Sequence, residues 1–439
     1  MSLIVPLLSL ALIAATSILG ARRVVLATML LRPSCDQIFN WLKEMTGQQT
    51  GPGASLNILM IALGAAALII FPGLLATPAI LAFGAFLGAA LASLFHGPDP
   101  AGGVRLLLTL ATYMAMLTLP YSLVRSQDDA IKYLNIAALS SLAPTVYSLI
   151  GLAFIPGFLG EEQRLQSTFT HPNIYAFYLV GVVTVLLFLQ SSKAAAQSRN
   201  ARVWLTAYIC LLLVLLLLTK TRSAWVAMSL ILGANAIAIN PRWFALVLAL
   251  PLALLFPGVS ERIADLDSGN IAAGYDQLNS YAWRQLLWSD TLQWMADNPA
   301  SIFGNGLDLF KTYVPAFFAQ GADQTGVGPH NAFLQIYFEM GIAGLAAFAA
   351  LFVAVFYELG SRLKHDFAGS LMMIMLCVGY LTVSYSDNVL DYLQFQWFFW
   401  FCVGTVCASR RFSGAAARWA YGAERRSAIA RLTRRQSVS

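Results

Sequence analysis

Long apolar stretches alternate with short polar breaks along most of this chain. A helix needs about 20 residues to cross a hydrocarbon core about 30 Å thick, and the pattern predicts twelve such spans. They lie at 2–20, 55–72, 77–95, 102–123, 130–152, 172–191, 202–219, 221–239, 243–257, 331–358, 367–386 and 389–408. The stretch 24–42 contains Pro33 and Asp36, so we interpret it as an interfacial or re-entrant segment. The expected fold is an all-α polytopic membrane protein of about 12 transmembrane helices.

The composition agrees with that fold. Hydrophobic residues make up 58% of the 439 residues and charged residues only 11%, whereas about a quarter of the residues in a soluble domain are charged. A water-soluble domain is therefore excluded. The five cysteines lie mostly inside apolar stretches and lack metal-ligand spacing, so we assign them to packing. The first stretch has no basic n-region and no small-x-small cleavage site, so we expect a retained helix.

The C-terminal tail sets the expected orientation. Residues 410–439 hold eight Arg and a single acidic residue, Glu424, which is typical of a cytoplasmic segment facing anionic lipids rather than nucleic acid. Counting spans back from the tail puts 258–329 outside, and this segment is acidic, as expected there. The same count puts Arg22, Arg23 and Arg32 outside, where they fit poorly. We therefore divide the chain into a bundle at 1–257, a periplasmic loop with an interfacial helix at 258–329, further transmembrane helices at 330–408 and a cytoplasmic tail at 409–439.

Two cations occupy a tight turn on the side predicted to lie outside. Lys220 and Arg222 stand between two apolar runs, in the sequence TKTRSAW. A cation at a membrane edge is costly unless an anion meets it, so such residues are candidates for a functional site. The alternative is that Arg222 snorkels to outer phosphates or pairs with a loop carboxylate, and for Lys220 we favour snorkelling.

The periplasmic loop contains a predicted helix from about Ser280 to Asp297, ended by Pro299 and a glycine turn. We expect its apolar face to lie at the membrane surface or to pack onto the bundle. Arg284 would then be held at the mouth of the bundle, and the alternative for it is an ordinary salt bridge with Asp290 or another loop acid. The apolar face is formed by three residues at helical spacing: Trp283, Leu287 and Trp294.

A polar stripe follows at the end of the loop, where a Gly-Pro turn places His330 at the start of the next spanning helix. A polar stripe that enters an apolar helix must face the bundle interior or a wet cavity. The positive end of the helix dipole favours neutral imidazole, which can accept a proton. The alternative is that His330 merely caps the helix. The stripe recurs every four residues, at Asn331, Gln335 and Glu339.

Four segments resemble, in their order and spacing, the O-antigen ligase and polymerase superfamily. They are RLQSTFTHPNIYAFYL at 164–179, TRSAW at 221–225, WRQLLW at 283–288 before a GNG turn, and His-Asn-x-x-Leu-Gln at 330–335 followed by Glu339, Gly341 and Gly344. The resemblance covers roughly 50–405. It implies a GT-C-like, metal-independent glycosyltransferase of the bacterial inner membrane, without a cofactor, that takes a glycan from undecaprenyl diphosphate at the periplasmic face. It also implies that Arg222, Arg284 and His330 carry the family's essential arginines and histidine.

The chemistry of these residue types fits that role. Guanidinium groups stay protonated and bind phosphate through two parallel hydrogen bonds, so Arg222 and Arg284 suit a diphosphate leaving group. A neutral His330 could take the proton of a sugar hydroxyl. We expect Arg164 to be a third phosphate contact, and Asn331, Gln335 and Glu339 to contact substrate. The His171-Pro172-Asn173 turn is interpreted as a helix start with Pro in its first turn.

Three functions remain open at this point. A polymerase would join lipid-linked repeat units, as in O-antigen or exopolysaccharide assembly, and we favour it because the His-Pro-Asn and His-Asn-x-x-Leu-Gln segments most resemble exopolysaccharide polymerases. A ligase would move the finished glycan to lipid A-core or, less favoured, to a protein. A transporter would also place charges among helices, but with internal repeats and broken helices at mid-membrane. The expected partners are a lipid-linked glycan donor, a glycan or lipid A-core acceptor, the lipid bilayer and possible polysaccharide-assembly proteins.

Overall fold

The computed structural model describes residues 4–46, 53–98, 100–160, 163–193, 195, 198–245, 260, 280–318 and 326–412, and this part of the chain is helical, without strands. The first half contains α1 (Ile4–Leu19), α2 (Ala21–Leu31), α3 (Asp36–Thr46), α4 (Gly53–Ile70), α5 (Pro78–Ser93), α6 (Pro100–Leu123), α7 (Gln127–Leu139), α8 (Leu142–Phe154) and α9 (Pro172–Ser191). The second half contains α10 (Arg199–Leu218), α11 (Arg222–Ala238), α12 (Ser280–Asp297), α13 (Phe310–Phe317), α14 (Ala332–Gly360), α15 (Phe367–Ser384) and α16 (Leu393–Ser409).

These helices confirm an all-α polytopic architecture. Among the described residues, 7 helices are long and apolar enough to cross a membrane, with α7 and α8 forming one span from Gln127 to Phe154. The helices α5 and α11 are apolar but shorter. Every span predicted from the sequence coincides with a helix except 243–257, most of which lies outside the described residues.

The core lies around α9 and α16, which are predominantly apolar and buried along nearly their whole lengths. A helix without a polar face is stable only when neighbours surround it. α16 packs against α6, α7 and α9, while α5 pairs with α14 and α11 pairs with α15. Aromatic rings from α14, α15 and α16 stack at the centre, with Tyr380 and Phe399 at a centroid distance of 4.3 Å.

One end of the bundle, here called the basic end, collects the loops that the sequence assigns to the cytoplasm. The Ser192 hydroxyl, after α9, donates to Asp366 before α15. The Gln127 amide, at the start of α7, donates to the carbonyl of Ser409 at the end of α16 at 3.0 Å. Arg362, after α14, donates to the Val406 carbonyl at 2.5 Å. Four polar breaks along the chain therefore meet at one end.

The N-terminal helices differ from the sequence prediction. Arg22 forms a salt bridge with Asp129 in the first turn of α7 and lies 5.3 Å from the Tyr133 ring, so it belongs to the basic end and its predicted placement outside is wrong. From there α2 enters the bundle, and Asp36 after it accepts hydrogen bonds from Thr170 at the opposite end. The segment therefore runs inside the bundle from the basic end towards the opposite end, with its 11-residue helix α2 ending at Leu31. Only α3, farther along the chain, retains the interfacial interpretation.

Helix α14 is broken near its start, and the loop after α12 fills the break. Gly341 has φ of 67°, a left-handed conformation that favours glycine. The break frees the carbonyls of Phe338 and Glu339, which accept hydrogen bonds from the backbone nitrogens of Asn305 at 2.9 Å and Gly306 at 3.2 Å. The Gly-Asn-Gly turn thereby fastens the outer loop to a spanning helix.

The apolar face of α12 packs onto the bundle, which is one of the two alternatives that the sequence left open. Leu287 is fully buried, and Trp294 lies 5.7 Å from the ring of Phe338 in α14. α12 begins at Ser280 and ends at Asp297, the bounds predicted from the sequence. The loop helix is thus held in a fixed position over the end of the bundle opposite the basic end.

Candidate functional site

Five polar segments meet at the end of the bundle opposite the basic end, here called the site end. They are the loop before α9, the turn between α10 and α11, the first turn of α12, the Pro329–Asn331 turn before α14, and the turn 385–392 between α15 and α16. On or next to these segments lie the cations and the imidazole that the sequence proposed for the site: Arg164, Lys220, Arg222, Arg284 and His330.

Arg164 ties the first two segments together. Its Nε atom donates to the Thr219 carbonyl at 2.9 Å, and its Nη2 atom donates to the Thr221 hydroxyl at 3.0 Å and to the Asn173 side chain. Thr221 in turn donates to Asn173 at 3.2 Å. The guanidinium therefore fixes the turn from which Arg222 begins α11.

Asp387 is the carboxylate at the centre of the site, and the sequence reasoning missed it. Its side chain accepts hydrogen bonds from the Asn173 amide and from the Tyr392 hydroxyl, both at 2.5 Å, and from the backbone nitrogen of Asn388 at 2.9 Å. The residue is 2% exposed. The available signal was an Asp-Asn pair in a short break between two apolar runs, on the side where unmatched cations had already been found.

His330 stands at the start of α14 in an unusual backbone conformation, with φ of 48°. Its backbone nitrogen donates to Oδ1 of Asn388 at 2.7 Å, and its ring lies 6.0 Å from that of Trp283. Nδ1 is buried without a hydrogen-bond partner among the described residues. Helix capping is not the role of this side chain, because Asn331 provides the cap by accepting from the backbone nitrogens of Phe333 and Leu334.

Arg284 lies next to His330 and donates from Nη1 to the Ser386 carbonyl at 2.7 Å. This contact replaces the salt bridge with Asp290 that the sequence left open. Arg284 interacts electrostatically with Asp387 and with Arg222, and Arg164 interacts with the same two residues. Arg164 and Arg284 thus share the field of one central carboxylate, and Arg222 lies within electrostatic reach of both guanidinium groups.

The electrostatics of the site favour an anionic ligand. Burial lowers the pKa of Arg164 and of Arg284, and the nearby Asp387 opposes that shift. Burial, followed by the positive charge of Arg284, lowers the pKa of His330 to about 4. The imidazole is therefore neutral at physiological pH, and the site carries an excess of positive charge that an anion would balance.

The polar stripe of α14 faces the bundle interior, as expected. Asn331, Gln335 and Glu339 are 8%, 3% and 3% exposed. Asn331 is the cap, and the carboxyl of Glu339 accepts backbone hydrogen bonds from Asp308 and Phe310. The structure therefore gives Asn331 and Glu339 local structural contacts, and their role towards substrate remains a prediction.

The His171 turn confirms the predicted helix start. The imidazole Nδ1 accepts from the backbone nitrogen of Asn173 at 3.1 Å, and Pro172 occupies the first helical position. His171 also faces the site, since its ring stacks on Tyr392 at a centroid distance of 6.4 Å. Asn173 was predicted only as part of this turn, yet it links Arg164 to Asp387.

Comparison with known protein families identifies part of the chain. Residues 207–349 match the family described as O-antigen ligase. This segment contains Arg222, Arg284 and His330, whereas Arg164 and Asp387 lie outside it. No curated protein matches the chain. This match over about a third of the chain supports the resemblance to the O-antigen ligase and polymerase superfamily that the motifs indicated.

Proposed function

We propose that this protein transfers a glycan from undecaprenyl diphosphate to a sugar hydroxyl at the periplasmic face of the bacterial inner membrane. One observation carries the proposal: three guanidinium groups from separate segments, those of Arg164, Arg222 and Arg284, interact with one another. Arg164 and Arg284 also interact with the carboxylate of Asp387, and His330 interacts with Arg284 and Asp387. This arrangement offers a positive site for a diphosphate and a neutral base next to it.

The reaction follows from those two elements. The acceptor oxygen attacks the anomeric carbon, its proton passes to the imidazole of His330, and the bond from that carbon to the phosphate oxygen breaks. Undecaprenyl diphosphate leaves with the bonding electron pair, and the arginines stabilise the charge that develops on it. Attack opposite the leaving group inverts the configuration. Because guanidinium groups supply the positive charge, the proposed step uses no metal.

The orientation of the site supports the periplasmic assignment. The loops with the basic excess meet at the other end of the bundle, and basic loops face the cytoplasm in multi-pass membrane proteins. The site end would then face the periplasm, where a lipid-linked glycan would present its sugars. Anionic lipids at the cytoplasmic surface would contact the basic end.

Within this class we favour a polymerase that joins lipid-linked repeat units. Its support is the resemblance of the segments around His171 and His330 to exopolysaccharide polymerases. A ligase, which would move the finished glycan to lipid A-core or to a protein, uses the same donor and hence the same cations. The two differ in the acceptor, and polysaccharide-assembly proteins would accompany either activity.

A transporter is the candidate from another class. Its substrate site is expected near mid-membrane between repeated units, whereas the polar groups described here gather at one end of the bundle. Uptake of radiolabelled substrate into vesicles, with no change in glycan length, would favour transport and contradict the transferase proposal.

Deletion of the gene, followed by electrophoresis of surface glycans, tests the proposal and separates its two forms. A polymerase predicts that long chains disappear while single repeats remain attached to the core. A ligase predicts that long chains accumulate on the lipid carrier. Unchanged glycans in the deletion strain would contradict both.

A further inference from the structure

The turn 385–392 carries an exposed aromatic side chain immediately before the polar residues of the site. Tyr385 is 52% exposed. Its chain neighbour Ser386 accepts the hydrogen bond from Arg284, and the central carboxylate, Asp387, follows. The solvent-exposed ring of Tyr385 is therefore within two residues, along the chain, of Ser386 and Asp387, which contact the proposed diphosphate site.

This ring is held in place by α12. Trp288 lies 5.3 Å from Tyr385 in an edge-to-face arrangement, and its Nε1 atom donates to the Pro329 carbonyl at 2.7 Å. Trp288 lies one helical turn after Arg284, so both side chains project from one face of α12. That face contacts the turn before His330 and the turn that begins with Tyr385, so the aromatic pair is fixed relative to both the cation and the imidazole.

We propose that Tyr385, supported by Trp288, is a stacking platform for a sugar ring. The inference rests on the proposed function, because it concerns the sugar attached to the diphosphate or the sugar that attacks it. The C–H bonds on one face of a hexose ring carry partial positive charge, and the face of an aromatic ring is negative, so the two surfaces attract each other. Tyr385 is adjacent in the chain to Ser386, whose carbonyl accepts the hydrogen bond from Arg284, so the ring stands beside the proposed diphosphate site.

The competing role is membrane anchoring, since aromatic side chains also collect at membrane interfaces. A leucine substitution separates the two roles, because leucine keeps the apolar surface and removes the ring face. Phe95, just after α5 at the site end, is 83% exposed and provides a matched control for anchoring.

The experiment measures binding of two probes to detergent-purified full-length protein. One probe is undecaprenyl diphosphate, and the other is the lipid-linked glycan extracted from cells that express the protein. For Tyr385→Leu we expect unchanged binding of the bare lipid and two- to tenfold weaker binding of the glycosylated lipid, about the value of one ring-face contact. Tyr385→Phe should bind both probes as the wild type does, and so should Phe95→Leu.

If Tyr385→Leu binds both probes normally but raises the acceptor KM in the transfer reaction, the platform holds the acceptor sugar instead of the donor sugar. That result would equally support the stacking platform. The inference is overturned if Tyr385→Leu matches the wild type for both probes and for the acceptor KM, or if Phe95→Leu shows the same loss. Failure of the wild-type protein to bind the bare lipid would contradict the proposed function itself, so the two failures are distinguishable.

Discussion

The backbone nitrogen of His330 donates a hydrogen bond to Oδ1 of Asn388 at 2.7 Å, which joins the start of α14 to the turn between α15 and α16. His330 has a left-handed backbone conformation, which costs energy in a non-glycine residue and persists only where the surroundings impose it. The turn before His330 packs closely against Asn388, because a Cβ atom on Gly328 would lie 2.5 Å from the Asn388 amide nitrogen. Asn388 therefore holds the imidazole in position.

Substitution of Asn388 should change the pH dependence of transfer. The pKa of His330 is lowered to about 4, so the neutral base predominates above that pH and activity falls as the pH is lowered through about 4. In Asn388→Asp the acceptor oxygen remains but a negative charge is added, which raises the pKa of the imidazole and moves the acidic limb to higher pH. Asn388→Ala should lower the rate without that shift. A pH profile of kcat measures both effects, and identical acidic limbs in Asn388→Asp and wild type would contradict the assignment.

Lysine should not replace the arginines of the site. An ammonium group keeps the charge but cannot donate the two parallel hydrogen bonds that a guanidinium forms with phosphate. Arg222→Lys and Arg284→Lys should each lose most of the transfer activity while expression is unchanged. Arg105→Lys is the control, because this exposed cation lies near the start of α6 and outside the cluster. Near-normal turnover in both site variants would leave the diphosphate site without support.

Gln37, in the first turn of α3, positions the loop that carries Arg164. The Nε2 atom of Gln37 donates to the carbonyls of Ser167 at 2.7 Å and Phe169 at 3.0 Å. Loss of these bonds should destabilise the loop by about 1–3 kcal/mol, so Gln37→Ala should raise the KM for the lipid donor more than it lowers kcat. Gln37→Lys, which can still donate, should recover part of the loss.

Gln190 provides the matched control for Gln37. Its Nε2 atom donates to the Thr206 hydroxyl at 2.7 Å and links α9 to α10, away from the site end. Gln190→Ala removes a comparable bond but should leave the donor KM unchanged. An equal rise in the donor KM for the two alanine variants would mean that the hydrogen bonds of Gln37 have no specific effect on the site.

The break in α14 should tolerate no side chain. A Cβ atom at Gly341 would overlap the carbonyl oxygen of Ile302, and the residue has a positive φ. Gly341→Ala should therefore reduce the stability by about 1–3 kcal/mol from backbone strain alone, with further loss from the overlap. Gly233→Ala, in α11, meets no atom within 4 Å and should not reduce the stability. Thermal unfolding of the purified variants measures the difference, and equal Tm values would contradict this account of the break.

The sequence predicted the helices well because each depends on local information. Apolar runs of spanning length and the capping pattern of the 280–297 helix are visible in any short window, and both were found. The place of α2 inside the bundle was missed because Pro33 interrupts its apolar run, although the structure continues it through a short 3-10 turn at Arg32–Ser34. The break at Gly341 was also missed, because it depends on a loop that lies more than thirty residues earlier.

The site was predicted in part. Arg222 was singled out because a cation on the outer side breaks the orientation rule. Arg164, Arg284 and His330 were singled out from their loop positions and from the family resemblance, and the structure brings all four together. Asp387 breaks no rule, since one acid between two spans is ordinary. Its importance lies in its hydrogen bond with Asn173, which is 214 residues away in the chain. Such a pairing has no signature in a single sequence.

His330→Asn tests the central claim most directly. Asparagine tolerates the left-handed backbone better than most residues, and Asn331 already caps α14, so the variant should fold and reach the membrane at normal levels. Turnover is measured with the lipid-linked glycan in reconstituted vesicles, beside binding of undecaprenyl diphosphate. Loss of the general base should lower turnover by at least about 10², while lipid binding through Arg222 and Arg284 survives. Turnover above about a tenth of the wild-type value would contradict the account, because a working base contributes more than that.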